Sequence, residues 1–179
     1  MLTSERVHRS AVVLTRIGVL LAVGIVLPVV FHGLGIPGPM FLPMHFPALL
    51  AGFLLPSGSA FVVGLVLPLV NFLISGMPPF PVFIPMMVEL GSYGALGAFF
   101  TRRLRFSTIV ALILSLILGR VVFLLAQFGI LGLLFGRKVS VVMTLQSLFV
   151  TALPGIIIQL FLIPILVKRI SPKEGTNES

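Results

Sequence analysis

The chain has no cysteine, which excludes disulfide staples, thiolate chemistry and cysteine-held metals. Negative charge is nearly absent as well. There are four acidic residues in 179, and Glu5, Glu174 and Glu178 lie near the ends. The fourth, Glu89, stands alone inside a long apolar run, just after the proline-crowded stretch Gly76–Pro81. Charged residues of both signs make up 9% of the chain, against about a quarter in water-soluble domains. A phosphate-cradling P-loop is missing, so the chain cannot drive a process with its own ATP hydrolysis. The three histidines, His8, His32 and His45, are scattered, with no HExxH and no i,i+4 pair. None pairs with a membrane-embedded serine as an intramembrane serine protease would require. These gaps argue against an enzyme.

What is present in quantity is hydrophobicity: 58% of the residues are apolar, and the mean hydropathy is +1.24. That composition marks a polytopic membrane protein in one domain. The apolar runs are continuous rather than alternating, which excludes a water-filled barrel and fits helices of about 20 residues each. Six helices are predicted, at about 11–31, Phe46–Leu55, Ala60–Ser75, 83–101, 106–128 and 140–167. They form a single membrane domain over 1–170, followed by a polar tail at 171–179. The second helix is short for a full span, so it is expected to tilt or to start within the outer interface. Arg6, Arg9 and Arg16 ahead of the first apolar run imitate a signal peptide, but no small-x-small cleavage site follows. A retained first helix is expected.

The net charge of +8 does not indicate nucleic-acid binding, because the basic residues gather at helix ends. With six crossings, Arg6, Arg9, Arg16, Arg102, Arg103, Arg105, Lys168, Arg169 and Lys173 fall on one side, and only Arg137 and Lys138 on the other. The positive-inside rule then puts both termini in the cytoplasm. Three loops face outward, at His32–His45, Gly76–Pro81 and Gly129–Ser140. They are unusually apolar. Leu34, Ile36, Met40, Phe41, Phe80 and Phe83 either rest on lipid headgroups or fold inward over a cavity.

At 1.5 Å rise per residue, the polar side chains within the helices share one depth. Asn71 lies roughly 8 Å below the outer end of its helix, Glu89 and Gln146 roughly 9 Å, and Arg120 roughly 12 Å. Tyr93 is one turn below Glu89 on the same face, and His45 begins the second helix at the outer surface. A lone charge at the bilayer centre costs about 2.5–3.5 kcal/mol or more, so Glu89 and Arg120 should face the bundle interior and find partners. They pair with each other as cement, or they serve a ligand. A buried pair by itself is weak evidence for stability. In the ligand reading, Arg120 offers a planar fork to a carboxylate or carbonyl. Glu89 accepts from donors, Asn71, Gln146 and Tyr93 set orientation, and outer-loop methionines such as Met77 supply an adaptable cover. Gln159 is the main uncharged polar residue expected near the inner side, and one glutamine does not make a channel.

Two helices carry small-residue faces. The first has Gly18, Ala22 and Gly24, open to a partner from outside or to internal packing. The fourth has Gly91, Gly94, Ala95, Gly97 and Ala98, for which internal packing is favoured.

The run from Phe41 through Gly76-Met77-Pro78-Pro79, followed by Glu89-Leu90-Gly91-Ser92-Tyr93-Gly94, resembles the substrate-binding S components of energy-coupling factor (ECF) vitamin transporters. The resemblance covers most of the chain and is nearest the broad group with pantothenate and hydroxymethylpyrimidine carriers. It implies an all-α bundle in a prokaryotic plasma membrane, with a vitamin bound near the outer face and the first loop as a lid. It implies no cofactor. The partners it implies are a transmembrane T subunit and two cytoplasmic ATPases. The family's AxxxA docking motif maps onto Gly18 and Ala22, with glycine in place of the first alanine. The glycine-rich turn after the second helix is Pro56-Ser57-Gly58-Ser59 here. The ligand-binding candidates are Glu89, Arg120, Asn71, Gln146, Tyr93, His45 and Met77. Pantothenate is slightly favoured over hydroxymethylpyrimidine, since its carboxylate would use Arg120. The rival readings are a self-contained carrier or channel, for which the inner half lacks a polar path, and a purely structural assembly subunit.

Overall fold

The structure is a computed structural model that describes residues 2–170; the polar tail predicted at 171–179 lies outside the described residues. Every regular element among the described residues is helical. They are α1 (Leu2–Gly33), α2 (Gly38–Phe41), α3 (His45–Leu54), α4 (Ser57–Ser75), α5 (Phe83–Ala98), α6 (Thr108–Ala126), α7 (Val141–Leu145) and α8 (Leu153–Ile170). Wider π-type turns extend three of them, at Phe99–Arg103, Gln127–Leu134 and Gln146–Thr151.

Five helical segments are long and apolar enough to cross a membrane: Glu5–Gly33, Ser57–Ser75, Phe83–Arg103, Thr108–Leu134 and Leu153–Ile170. The second predicted helix is not among them. At 10 residues α3 is about 15 Å long, half the thickness of a hydrocarbon core of about 30 Å. It stops because Leu55 is extended ahead of Pro56, as the residue before a proline prefers to be.

The helix predicted at 140–167 is in fact two. The chain turns at Ala152 between the π turn and α8. Pro154, lacking an N–H, is tolerated in the first turn of a new helix and not in the middle of an old one. The third predicted loop also shrinks. α6 and its π extension run to Leu134, so Gly129 and Gly132 are helical rather than loop. Inside the first loop, α2 ends at Leu42, a buried residue held in the left-handed region at φ 54. That turn sends the chain down into α3.

Close approach of backbones sets the core. A Cβ at Gly64 on α4 would strike the Leu90 carbonyl of α5, and one at Gly94 would strike the Ala60 carbonyl. Gly97 of α5 rests on Gly52 of α3 at 3.3 Å from where its Cβ would be. The small face of the fourth predicted helix is therefore used inside the bundle. Leu49, Leu67, Leu90, Leu112 and Ile163 fill the centre and are fully buried. α1 lies on α3 and α4. Its Gly24 is wedged between Leu67 and Pro47, while Gly18 and Ala22 are exposed with open space beside Gly18. At the other end of α3, Arg16 of α1 donates from Nη1 to the Leu54 carbonyl at 3.0 Å.

Candidate functional site

Glu89 is 1% exposed and gathers partners from three helices. Tyr93, one turn along α5, donates its hydroxyl to Oε1 at 2.7 Å. The Nη1 of Arg120, on α6, lies 3.1 Å from the same oxygen. His45, the first residue of α3, brings Nε2 to 3.5 Å from Oε2. That distance is an electrostatic contact rather than a good hydrogen bond. Tyr93 can lie between α5 and α6 because residue 119 is glycine: a Cβ there would collide with its ring. The tyrosine thus fixes Glu89 from behind while Arg120, the next residue, reaches it from the side.

The cluster is not saturated. Nε and Nη2 of Arg120 and both ring nitrogens of His45 are buried without a hydrogen-bond partner. Nε and Nη2 form one edge of the guanidinium, so its bidentate fork stays free while Nη1 serves Glu89. Unmet buried donors of this kind are costly and call for a partner. A cavity of about 470 Å³ lies against Arg120, His45 and Glu89, and its wall adds Gln127, Thr144 and Ser147. Apart from His32 the rest of the lining is apolar, with Phe31, Ile36, Leu42, Met44, Met86 and Phe123 among it. Mostly apolar walls with a few convergent polar groups, at a volume within the usual 300–1,000 Å³, are the features of a small-molecule site.

A family model for "ECF transporter, substrate-specific component" matches residues 12–167, nearly the whole chain. The chain belongs to this family. It is a membrane transport protein of the substrate-binding class, an S component. Comparisons with curated proteins and with solved structures gave no match.

The S component brings together four of the seven candidate ligand residues, Glu89, Arg120, His45 and Tyr93. His45 is buried at the cavity wall and not at the outer surface as the sequence suggested. Met77 stands at the mouth of the cavity, 47% exposed. The other two lie elsewhere. Asn71 is fully buried between α4 and α1, where its Nδ2 donates to the carbonyls of Gly24 and Leu67, both at 2.9 Å. Gln146 is exposed on the outer side of its turn, and Met143, Thr144, Ser147 and Leu148 line the cavity in its place. Gln159, expected near the inner side, is buried with neither amide atom partnered and lies outside the cavity wall.

Gln127, Thr144 and Ser147 had not been singled out from the sequence. Gln127 had a usable signal: it follows Arg120 by seven residues, two turns along the same helical face. Ending that helix at 128 hid it as an interface residue. Ser147 had none, because a serine beside a glutamine does not say which of the two faces inward.

Of the apolar outer residues, Ile36 lines the cavity and Phe83 is buried. Met40 and Phe41 press their carbonyls onto Gly155 of α8. Leu34 and Phe80 are exposed at 69% and 54%, so the apolar rim divides between lid and surface.

Proposed function

We propose that this S component captures a small water-soluble vitamin in the cavity under the first outer loop and hands it to an ATP-driven ECF module. Its six passages then place both termini in the cytoplasm, with α3 as a half-length second passage and α7 with α8 as the sixth. The module supplies a transmembrane T subunit, met at Gly18 and Ala22, and two ATPases. The single observation that carries the reading is the Glu89–Arg120–His45 cluster, buried yet with unused hydrogen-bonding atoms beside a 470 Å³ cavity. A pair that was cement alone would not need free donors next to empty space.

Pantothenate and hydroxymethylpyrimidine are the two candidate cargoes. Pantothenate would set its carboxylate on the free edge of Arg120, with its hydroxyls toward Thr144 and Ser147. Hydroxymethylpyrimidine would offer its amino group to Glu89 or Gln127 and a ring nitrogen to Arg120 or His45. The test is thermal-shift and native mass spectrometry of the detergent-purified full chain against a panel of water-soluble vitamins. One vitamin is expected to stabilise it, with affinity falling at least about ten-fold in Arg120→Met, the equivalent of one hydrogen bond to a charged group. A well-folded sample that responds to no vitamin sinks the proposal. So would undiminished uptake in cells lacking the ECF module.

A further inference from the structure

The cavity wall contains one carboxylate and one guanidinium, and these two already face each other at 3.1 Å. No other Asp, Glu, Lys or Arg among the described residues lines it; Arg137 and Lys138 are exposed outside the wall. The remaining titratable wall residues are His32 and His45, with Tyr93 behind Glu89. The charges of Glu89 and Arg120 cancel each other at the polar end of the cavity. What it has in surplus is hydrogen-bonding capacity of both kinds. Nε and Nη2 of Arg120 are free donors, the His45 ring offers one donor and one acceptor, and the buried Oε1 of Gln127 is a free acceptor.

We infer that the cavity selects a net-neutral ligand with a planar amide or heteroaromatic edge, and rejects the carboxylate of the same shape. The inference rests on the S-component reading and refines its cargo. A carboxylate on the free fork of Arg120 would place a second negative charge close to Glu89, with no second lysine or arginine in the wall to balance it. Inside a low-dielectric site an uncompensated charge is strongly unfavourable. A carbonyl or ring-nitrogen edge satisfies the same fork without that charge, and an adjacent N–H meets Gln127 or His45. Unmet polar groups discriminate sharply when the complementary pattern is missing. This ranking reverses the preference for pantothenate drawn from Arg120 alone, because Arg120 is already neutralised.

The experiment uses native mass spectrometry of the full chain with pairs matched in shape but differing in charge: nicotinamide and nicotinate, panthenol and pantothenate, and the non-vitamin pair benzamide and benzoate. In the wild type the neutral member of a pair should bind about a hundred-fold more tightly than the acid. In Glu89→Gln, where Arg120 loses its counterion, the preference should invert toward the acid. An acid that binds the wild type as well as its neutral partner overturns the inference and leaves the vitamin reading standing. Binding of benzamide over benzoate, with no response from any vitamin, supports the charge rule and sinks the vitamin reading. Failure of all three pairs to bind overturns the inference. Should Glu89→Gln not fold, the wild-type comparison alone decides.

Discussion

Asn71 shows how a polar residue in an apolar helix can be fully occupied without touching a ligand. In α1, Pro28 has no N–H, so the carbonyl four residues earlier, that of Gly24, loses its helical donor. Asn71 supplies the missing donor across the helix interface at 2.9 Å. Nothing in the sequence near Asn71 announces this, because the debt arises 43 residues away in Pro28. Depth along the helix was legible, and the direction of the side chain was not. Replacing Asn71 with leucine should therefore cost stability, on the order of 1 kcal/mol as for other hydrogen bonds between membrane helices. Ligand affinity should stay within about two-fold, at the lower edge of what one hydrogen bond contributes. A lowered unfolding midpoint in denaturant with an intact binding isotherm would agree. A large loss of affinity in a folded variant would return Asn71 to the ligand site. Glu89, by contrast, was readable from sequence for a simple reason: one acid in a long apolar run must be partnered, and Arg120 was the only basic residue set at comparable depth.

At the scale of elements, apolar runs gave the order of the long helices but not their number, since six were expected and five segments are long and apolar enough to cross a membrane. They were less informative about where helices change character. The π turns after α5, α6 and α7 share no residue pattern, since Phe99–Arg103 ends in two arginines while Gln127–Leu134 is apolar after its first residue, and the break at Ala152 rests on a single residue, Pro154. The α4–α5 crossing is the element contact on which the site most depends, because α5 carries Glu89, Tyr93 and Met86. Gly64 faces the Leu90 backbone there, one residue from Glu89. Introducing valine at position 64 would wedge the helices apart, and overpacking of this kind costs about 1–3 kcal/mol. Gly64→Val should lower the thermal midpoint and weaken ligand binding together. Normal stability and binding in Gly64→Val would show that the two backbones are not held in contact.

For the whole molecule, the asymmetry of α1 matters most. One side is buried through Leu20 and Gly24 against α3 and α4, while the other presents Gly18 and Ala22 to the surroundings. Gly18→Leu should leave folding and ligand binding unchanged, since no atom lies within 4 Å of its added Cβ. Co-purification with a T subunit and uptake by the assembled module should fall at least about ten-fold, as a lost close helix approach implies. Retained assembly would move the docking surface elsewhere on the S component. The exposure of this particular stripe was not legible from sequence, because it needed the packing of α1 to be known.

The two polar ties of α1 have a mechanical consequence. Arg16 pins it to the end of α3, and the carbonyl of Gly24 pins it to Asn71 of α4. The pins are eight residues apart, or roughly 12 Å along the axis, and Gly18 and Ala22 lie between them. A push applied at those two residues acts on a beam clamped on either side of the load. Through the two ties α3 and α4 would share that load, while α1 itself reaches the cavity wall beyond the second tie, at Pro28, Phe31 and His32. If the partner docks at Gly18 and Ala22 as proposed, the helix would work as a handle.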